Sequence, residues 1–249
     1  MLKELNCCIF LIFLTLSIAK GADIQVMSAG AVEPGIELTI KEFETNTHHH
    51  VQIQYGTGPQ LIQRLSSNQV ADILIAPISL LDQQAKQAKI SNQDRIAIGR
   101  VGVGIAIRNQ LNDPDVATPE SFKSSLLSAD SIVYNEASTG IYLEKLFQEM
   151  GIGDLLKSKT TRYANGEQVL MHIIHGSKNE IGFGAITEIK LFEAKGLKLV
   201  APLPSSLQNY TYYGAGIMRE SPNPELAKQL LIFLSSPAAK AAYLKAGIE

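Results

Sequence analysis

At 249 residues, with 45% apolar content and a formal net charge of −2, the chain can bury one large core or two modest ones. That charge balance gives no reason to expect nucleic acid or an anionic membrane surface as a partner. The absence of tryptophan and an aromatic share of 6% also remove the stacking platforms that single-stranded nucleic acid needs.

Residues 1–21 read as a removable signal peptide. Lys3 supplies a positive start, Cys7 through Ile18 is apolar apart from Thr15 and Ser17, and Ala19 with Gly21 suits cleavage between small residues. The run is short for a membrane span, an uncleaved anchor being the alternative. Cys7 and Cys8 both lie inside it, and no cysteine follows that could carry a lipid. The expected mature protein is therefore periplasmic and free of disulfides, held by its core alone.

From Ala22 onward, short apolar strands alternate with segments of helical period. Ile24–Met27 predicts a strand ending in the turn Ser28-Ala29-Gly30-Ala31. A helix follows, with Pro34 in its first turn and Ile36, Ile40 and Phe43 on one face. Val51–Tyr55 alternates as a strand. Gly56-Thr57-Gly58-Pro59 turns the chain into a helix carrying Leu61, Ile62 and Leu65. Asp72–Ala76 predicts a buried strand, after which Ser79 would cap a helix running to Ala88.

Further along, Ser131–Tyr134 predicts a strand, and Ser138-Thr139-Gly140 leads into a helix marked by Leu143, Leu146, Phe147 and Met150. Tyr163–Gly166 opens a helix with Val169, Leu170, Ile173 and Ile174. Glu180–Gly184 forms a strand, and Ala185-Ile186-Thr187 starts the next helix. Such alternation predicts an α/β protein with mixed, mainly parallel sheets flanked by helices.

Two stretches differ. Ile98–Arg108 sets Gly and Ala on one face and branched apolar residues on the other, and Tyr210–Met218 is its late counterpart. Long glycine-spaced strands around a central block suit two hinge crossovers joining two lobes, with ordinary core strands bulged at glycine as the alternative. The expected division is 22–100 plus 217–249 for the first lobe and 101–216, hinge strands included, for the second.

Four turns share one chemistry: Ser28 to Ala31, Gly56 to Gly58, Ser138 to Gly140, and Asn165 to Glu167. Each ends a strand and starts a helix, where free N–H groups and the positive end of the macrodipole favour an anion. Each could equally be a simple cap. Converging in one cleft, they would hold an oxyanion without a cationic side chain.

The ordered series Ile24-Gln25-Val26…Ser28-Ala29-Gly30-Ala31, Tyr55-Gly56-Thr57-Gly58, Ala71–Ala76, Ser138-Thr139-Gly140-Ile141-Tyr142 and Glu180–Gly184 resembles the periplasmic molybdate-binding proteins of ABC importers. The resemblance spans nearly the whole mature chain. It implies a type II solute-binding fold: two α/β lobes, two crossover strands, and a cleft that closes on a tetrahedral oxyanion.

Carried over by residue, the family's first-turn hydroxyl falls on Ala31, its second-turn hydroxyl on Thr57, and its backbone donors on Thr139 and Glu167. The tyrosine that completes its anion site falls on Ala185. Two side-chain donors are therefore missing, which implies another anion or a small organic acid as ligand.

Arg100 could place a guanidinium in the cleft for a carboxylate or phosphate, the alternative being a surface arginine at a strand end. Tyr134, Asn135 and Tyr163 are candidates to replace the missing tyrosine, or else core residues. His48-His49-His50 reads as a solvated loop rather than a metal site, and His172 and His175 as a helix face. No G-x-S-x-G elbow, free cysteine or phosphate-loop lysine is present.

The sequence thus predicts a monomeric, cofactor-free and metal-free binding protein, not an enzyme. It would deliver a small anion to the permease of an ABC importer. A sensory or scavenging module without a transporter, and a secreted hydrolase using Ser138 or Thr139, are the alternatives.

Overall fold

The structure, a computed structural model, describes residues 23–249, so the expected signal peptide and both cysteines lie outside the described residues. The chain runs β1 (Asp23–Ala29), α1 (Glu33–Thr47), β2 (His50–Gly56), α2 (Gly58–Ser66), β3 (Ile73–Pro77), α3 (Ile78–Lys86) and β4 (Ile90–Arg108). It continues through α4 (Pro119–Ser128), β5 (Ser131–Asn135), α5 (Ser138–Glu149), α6 (Gly153–Lys157), β6 (Thr160–Tyr163) and α7 (Gly166–His175). The last elements are β7 (Glu180–Ala185), α8 (Ile186–Phe192), β8 (Leu197–Pro202), β9 (Tyr210–Met218), α9 (Pro224–Leu234) and α10 (Pro237–Ala246).

Local chemistry sets these boundaries. Gln60 Oε1 accepts from the Thr57 N–H at 2.8 Å and from the Thr57 hydroxyl at 3.3 Å, holding the start of α2. Asn165 Oδ1 accepts from Gln168 N–H at 2.9 Å and caps α7. Ser79 does not cap α3: the helix already begins at Ile78, because Pro77 fixes the extended backbone that precedes it.

Strand β4 belongs to two sheets. Its residues 90–102 pair antiparallel with β9, beside β3, β1 and β2; its residues 103–108 pair with β7 and β8, beside β5 and β6. Within each sheet the βαβ units are parallel: β1 with β2 and β3, and β5 with β6 and β7. The architecture is therefore mixed α/β, with β4 crossing between lobes as the glycine spacing predicted.

The second expected crossover is displaced. Among the described residues strand β9 pairs with β3 and β4 in the first sheet, and Tyr213, Ala215 and Ile217 pack into the first core. The return path is residues 203–209. Apolar side chains fixed this, since every second residue of β9 finds the first core.

Burial follows that layout. The first core gathers Ile24, Val26, Ile36, Phe43, Leu61, Leu230 and Tyr243 around β3, where Ile73, Leu74 and Ile75 are all fully buried, as a strand covered on both faces requires. The second lobe packs both faces of its sheet. Val103, Ile105 and Ile107 meet Phe122, Phe147 and Phe183 on one side, and Ala106 meets Val169, Ile173 and Ile189 on the other. Gly104 lets α8 approach that second face, since a Cβ there would lie 2.8 Å from Ile189 Cδ1. Among the described residues no helix is long and apolar enough to cross a membrane.

Candidate functional site

The carboxyl ends of the parallel strands in both lobes face one another across a cavity of about 230 Å³. This is where the crevice of an open α/β sheet places a ligand. All four anticipated turns contribute to the wall. Ala29, Gly30 and Ala31 come from the turn after β1, and Gly56, Thr57 and Gly58 from the turn into α2. Ser138 and Thr139 start α5, while Asn165, Gly166 and Glu167 start α7. Ala185, at the end of β7, closes the side where the resemblance placed a tyrosine.

Three anticipated residues stand outside the lining. Ser28 is fully buried and its hydroxyl donates to the Ala29 carbonyl at 3.3 Å, so it supports the turn from behind. Gly140 lies against the end of β5, where a Cβ would come within 1.6 Å of the Asn135 carbonyl oxygen; its N–H donates to Asn135 Oδ1 at 3.1 Å.

Arg100 is the main correction. Its guanidinium pairs with Glu249 at 2.8 Å and stacks 4.0 Å over the Tyr210 ring, while its backbone exchanges hydrogen bonds with Glu249. A carboxylate and an aromatic face at the outer edge of β4 hold it away from the cleft.

The substitutes for the missing tyrosine also resolve. Asn135 lines the cavity and its side chain accepts the N–H groups of Ala137 and Gly140, fixing the start of α5. Tyr134 packs on Phe147 beneath Arg162, and Tyr163 donates toward or accepts from His172 Nδ1 at 2.7 Å; neither lines the cavity. Two other tyrosines do reach the cleft: Tyr55 at the end of β2, and Tyr213 of β9, which is buried and hydrogen-bonded to Ser138 and Thr211, with its hydroxyl pushed well above the usual range by burial. For Tyr213, its place in a predicted crossover strand was the one signal in the sequence.

Of the charged lining, the sequence pointed to Glu167 alone, and to its backbone N–H rather than its carboxylate. Arg64 of α2 enters the wall with Nη1 held by the Tyr55 carbonyl at 2.9 Å. Glu33, Glu167 and Glu188 line the same cavity. Glu188 is half-buried as a residue, with its carboxyl end enclosed between two turns. A Cβ at Gly30 would lie 3.0 Å from Oε1, and one at Gly166 2.4 Å from Oε2. Burial, then the nearby Glu33 charge and to a lesser degree Glu167, push its carboxyl from 4.5 up to about 7, against a hydrogen bond from the Ala185 backbone that holds it down. Glu33 is raised too, by burial first and then by Glu37 and Glu167. The cleft wall thus combines the N-terminal ends of three helices with a carboxyl whose proton affinity is raised toward neutrality.

The comparisons agree with this architecture. The family described as bacterial extracellular solute-binding protein matches residues 24–249. An aconitate isomerase from a Pseudomonas species is 27% identical over 232 residues, covering 91% of this chain and 87% of the relative. The periplasmic molybdate-binding protein of Azotobacter vinelandii shares the fold with a TM-score of 0.76 at 15% identity, over 91% of this chain and 98% of that one. The sulfate-binding protein SubI of Mycobacterium tuberculosis does so with a TM-score of 0.71 at 16% identity, over 91% and 86%. Extending over nearly every described residue, the family match makes this chain a bacterial extracellular solute-binding protein with a divergent molybdate-binding-like fold.

Proposed function

We propose that the chain captures a small polycarboxylate in this cleft, outside the cytoplasm, and delivers it as a monomer to the permease of an ABC importer. The observation that carries the reading is the make-up of one cavity: the starts of α2, α5 and α7 and Arg64 share its wall with the three acidic residues Glu33, Glu167 and Glu188. A compact tetrahedral dianion would be repelled by those carboxyls at close range. A molecule that spreads its carboxylates can seat them on the helix starts and Arg64 and accept a hydrogen bond from Glu188 in its protonated form. Ala31 and Ala185 leave room for such a body. The Pseudomonas relative, named for aconitate, points to the same class of ligand.

On this reading Thr57, Ser138, Thr139 and the N–H of Glu167 are ligand donors, with Tyr213 in the place expected for a residue at Ala185. No cofactor or nucleic acid is involved. Calorimetric titration of the mature protein with di- and tricarboxylates, molybdate and sulfate tests it. Saturable binding of a polycarboxylate with weak or absent molybdate binding is expected, and the reverse preference would overturn it. A second reading, turnover of the bound ligand rather than binding alone, is favoured by the carboxyl of Glu188 in the cleft.

A further inference from the structure

We propose that Glu188 moves a proton between two carbons of an unsaturated polycarboxylate held in the cleft, so that the chain isomerises its ligand as well as binding it; this rests on the polycarboxylate reading above. The substrate class is a carboxylate whose CH2 carbon adjoins a C=C bond that is conjugated with a second carboxylate. The Glu188 carboxylate takes a proton from the CH2 carbon, so a C–H bond breaks and an O–H bond forms. The electron pair left behind forms a new C=C bond, and the old double bond shifts its electrons onto the conjugated carboxylate. The Glu188 carboxyl then returns its proton to the far carbon of the former double bond and is again a carboxylate. Nothing is gained or lost, and no oxidant, reductant or cofactor is required.

Three features of the site support this step. The Glu188 carboxyl sits in the gap that Gly30 and Gly166 leave between the turn of one lobe and that of the other, in the wall of the cavity. The negative charge that develops on the ligand carboxylate faces the starts of α2, α5 and α7 and Arg64, fixed donors of the kind that stabilise such charge best. Both protonation states of the carboxyl are populated near neutral pH, as a group that must take and return one proton requires. Around it stand Glu33 of α1, Glu167 of α7 and Tyr213 of β9, with Arg64 of α2 and Tyr55 of β2 also on the cavity wall, and Lys195 beside Glu33.

The test uses the mature protein with cis-propene tricarboxylate in deuterated buffer, followed by proton NMR, alongside calorimetry. Wild type should bind the compound and yield the trans isomer, deuterium entering the product wherever the proton held by Glu188 exchanges with solvent before its return. Glu188→Gln should still bind but isomerise about 100-fold more slowly or less. Glu33→Gln removes a neighbouring charge and should move the midpoint of the pH–rate profile to lower pH, a readout that stands even if Glu188→Gln fails to fold. Binding by wild type with neither exchange nor trans isomer would overturn the isomerase and leave capture standing. Isomerisation by Glu188→Gln at the wild-type rate would overturn the role of this carboxyl. No binding of any polycarboxylate would overturn the capture reading and the isomerase with it.

Discussion

Thr187 Oγ1 donates to the Ala31 carbonyl at 2.5 Å, tying the first turn of α8 in the second lobe to the turn after β1 in the first. The next residue along α8 is Glu188, so the bond that joins the lobes also sets the position of the cleft carboxyl. Ala185, two residues earlier, packs into the first core although it ends a strand of the second sheet. This end of β7 and α8 thus joins the lobes through side-chain contacts, alongside the covalent links of β4 and residues 203–209.

Thr187→Val keeps the shape and removes the interlobe hydrogen bond. Ligand affinity should fall roughly fivefold, from about 1 kcal/mol for one hydrogen bond, and small-angle scattering should report a wider unliganded particle. Unchanged affinity and dimensions would make the bond incidental to closure.

Gly166→Ala should push the Glu188 carboxyl aside, because the new Cβ would lie 2.4 Å from Oε2. The obstacle is the far end of a flexible side chain, so the thermal midpoint should change little while ligand affinity falls. A large loss of stability with normal affinity would contradict this placement.

Glu188 also links stability to pH. Its carboxyl rises from 4.5 to about 7 on folding, so the folded chain holds this proton more tightly. Its contribution is full below about 4.5, declines as pH climbs through the interval to about 7, and is absent above. The loss is at most about 3 kcal/mol, less whatever solvent screening takes away. Urea unfolding at several pH values should show a decline that flattens in Glu188→Gln. A shallow slope of the same sign should remain in that variant, because Glu33 is raised as well.

Arg64 and Arg100 separate cleft charge from surface charge. Arg64→Gln should weaken binding of an anionic ligand roughly 10- to 100-fold, as expected for one charge-assisted hydrogen bond. Arg100→Ala should leave affinity unchanged and loosen only the contact with Glu249, which proteolysis or amide exchange near residues 247–249 would detect. Equal effects from both would mean that the cleft responds only to net charge.

Much of this was determined by the sequence alone. Period-two alternation in Val51–Tyr55, the apolar run at Ile73–Ala76, and the small or hydroxyl residues before each helix placed the βα units and the four turns that build the cleft, because strand and helix burial are short-range properties of the chain. The glycine spacing of Gly102, Gly104 and Ala106 likewise marked the strand that joins the lobes. What lay beyond reach was which charged side chains the fold would gather. Arg100 is as polar in sequence as Arg64, and only tertiary pairing with Glu249 and Tyr210 turned it outward while the Tyr55 carbonyl of β2 holds Arg64 in the cavity wall. Glu188 reads as an ordinary residue in the first turn of a helix; its proton affinity arises from enclosure between Gly30 and Gly166 and from Glu33 and Glu167, residues far from it in the chain. Electrostatic environment depends on distance in space, and that was decided by the fold alone.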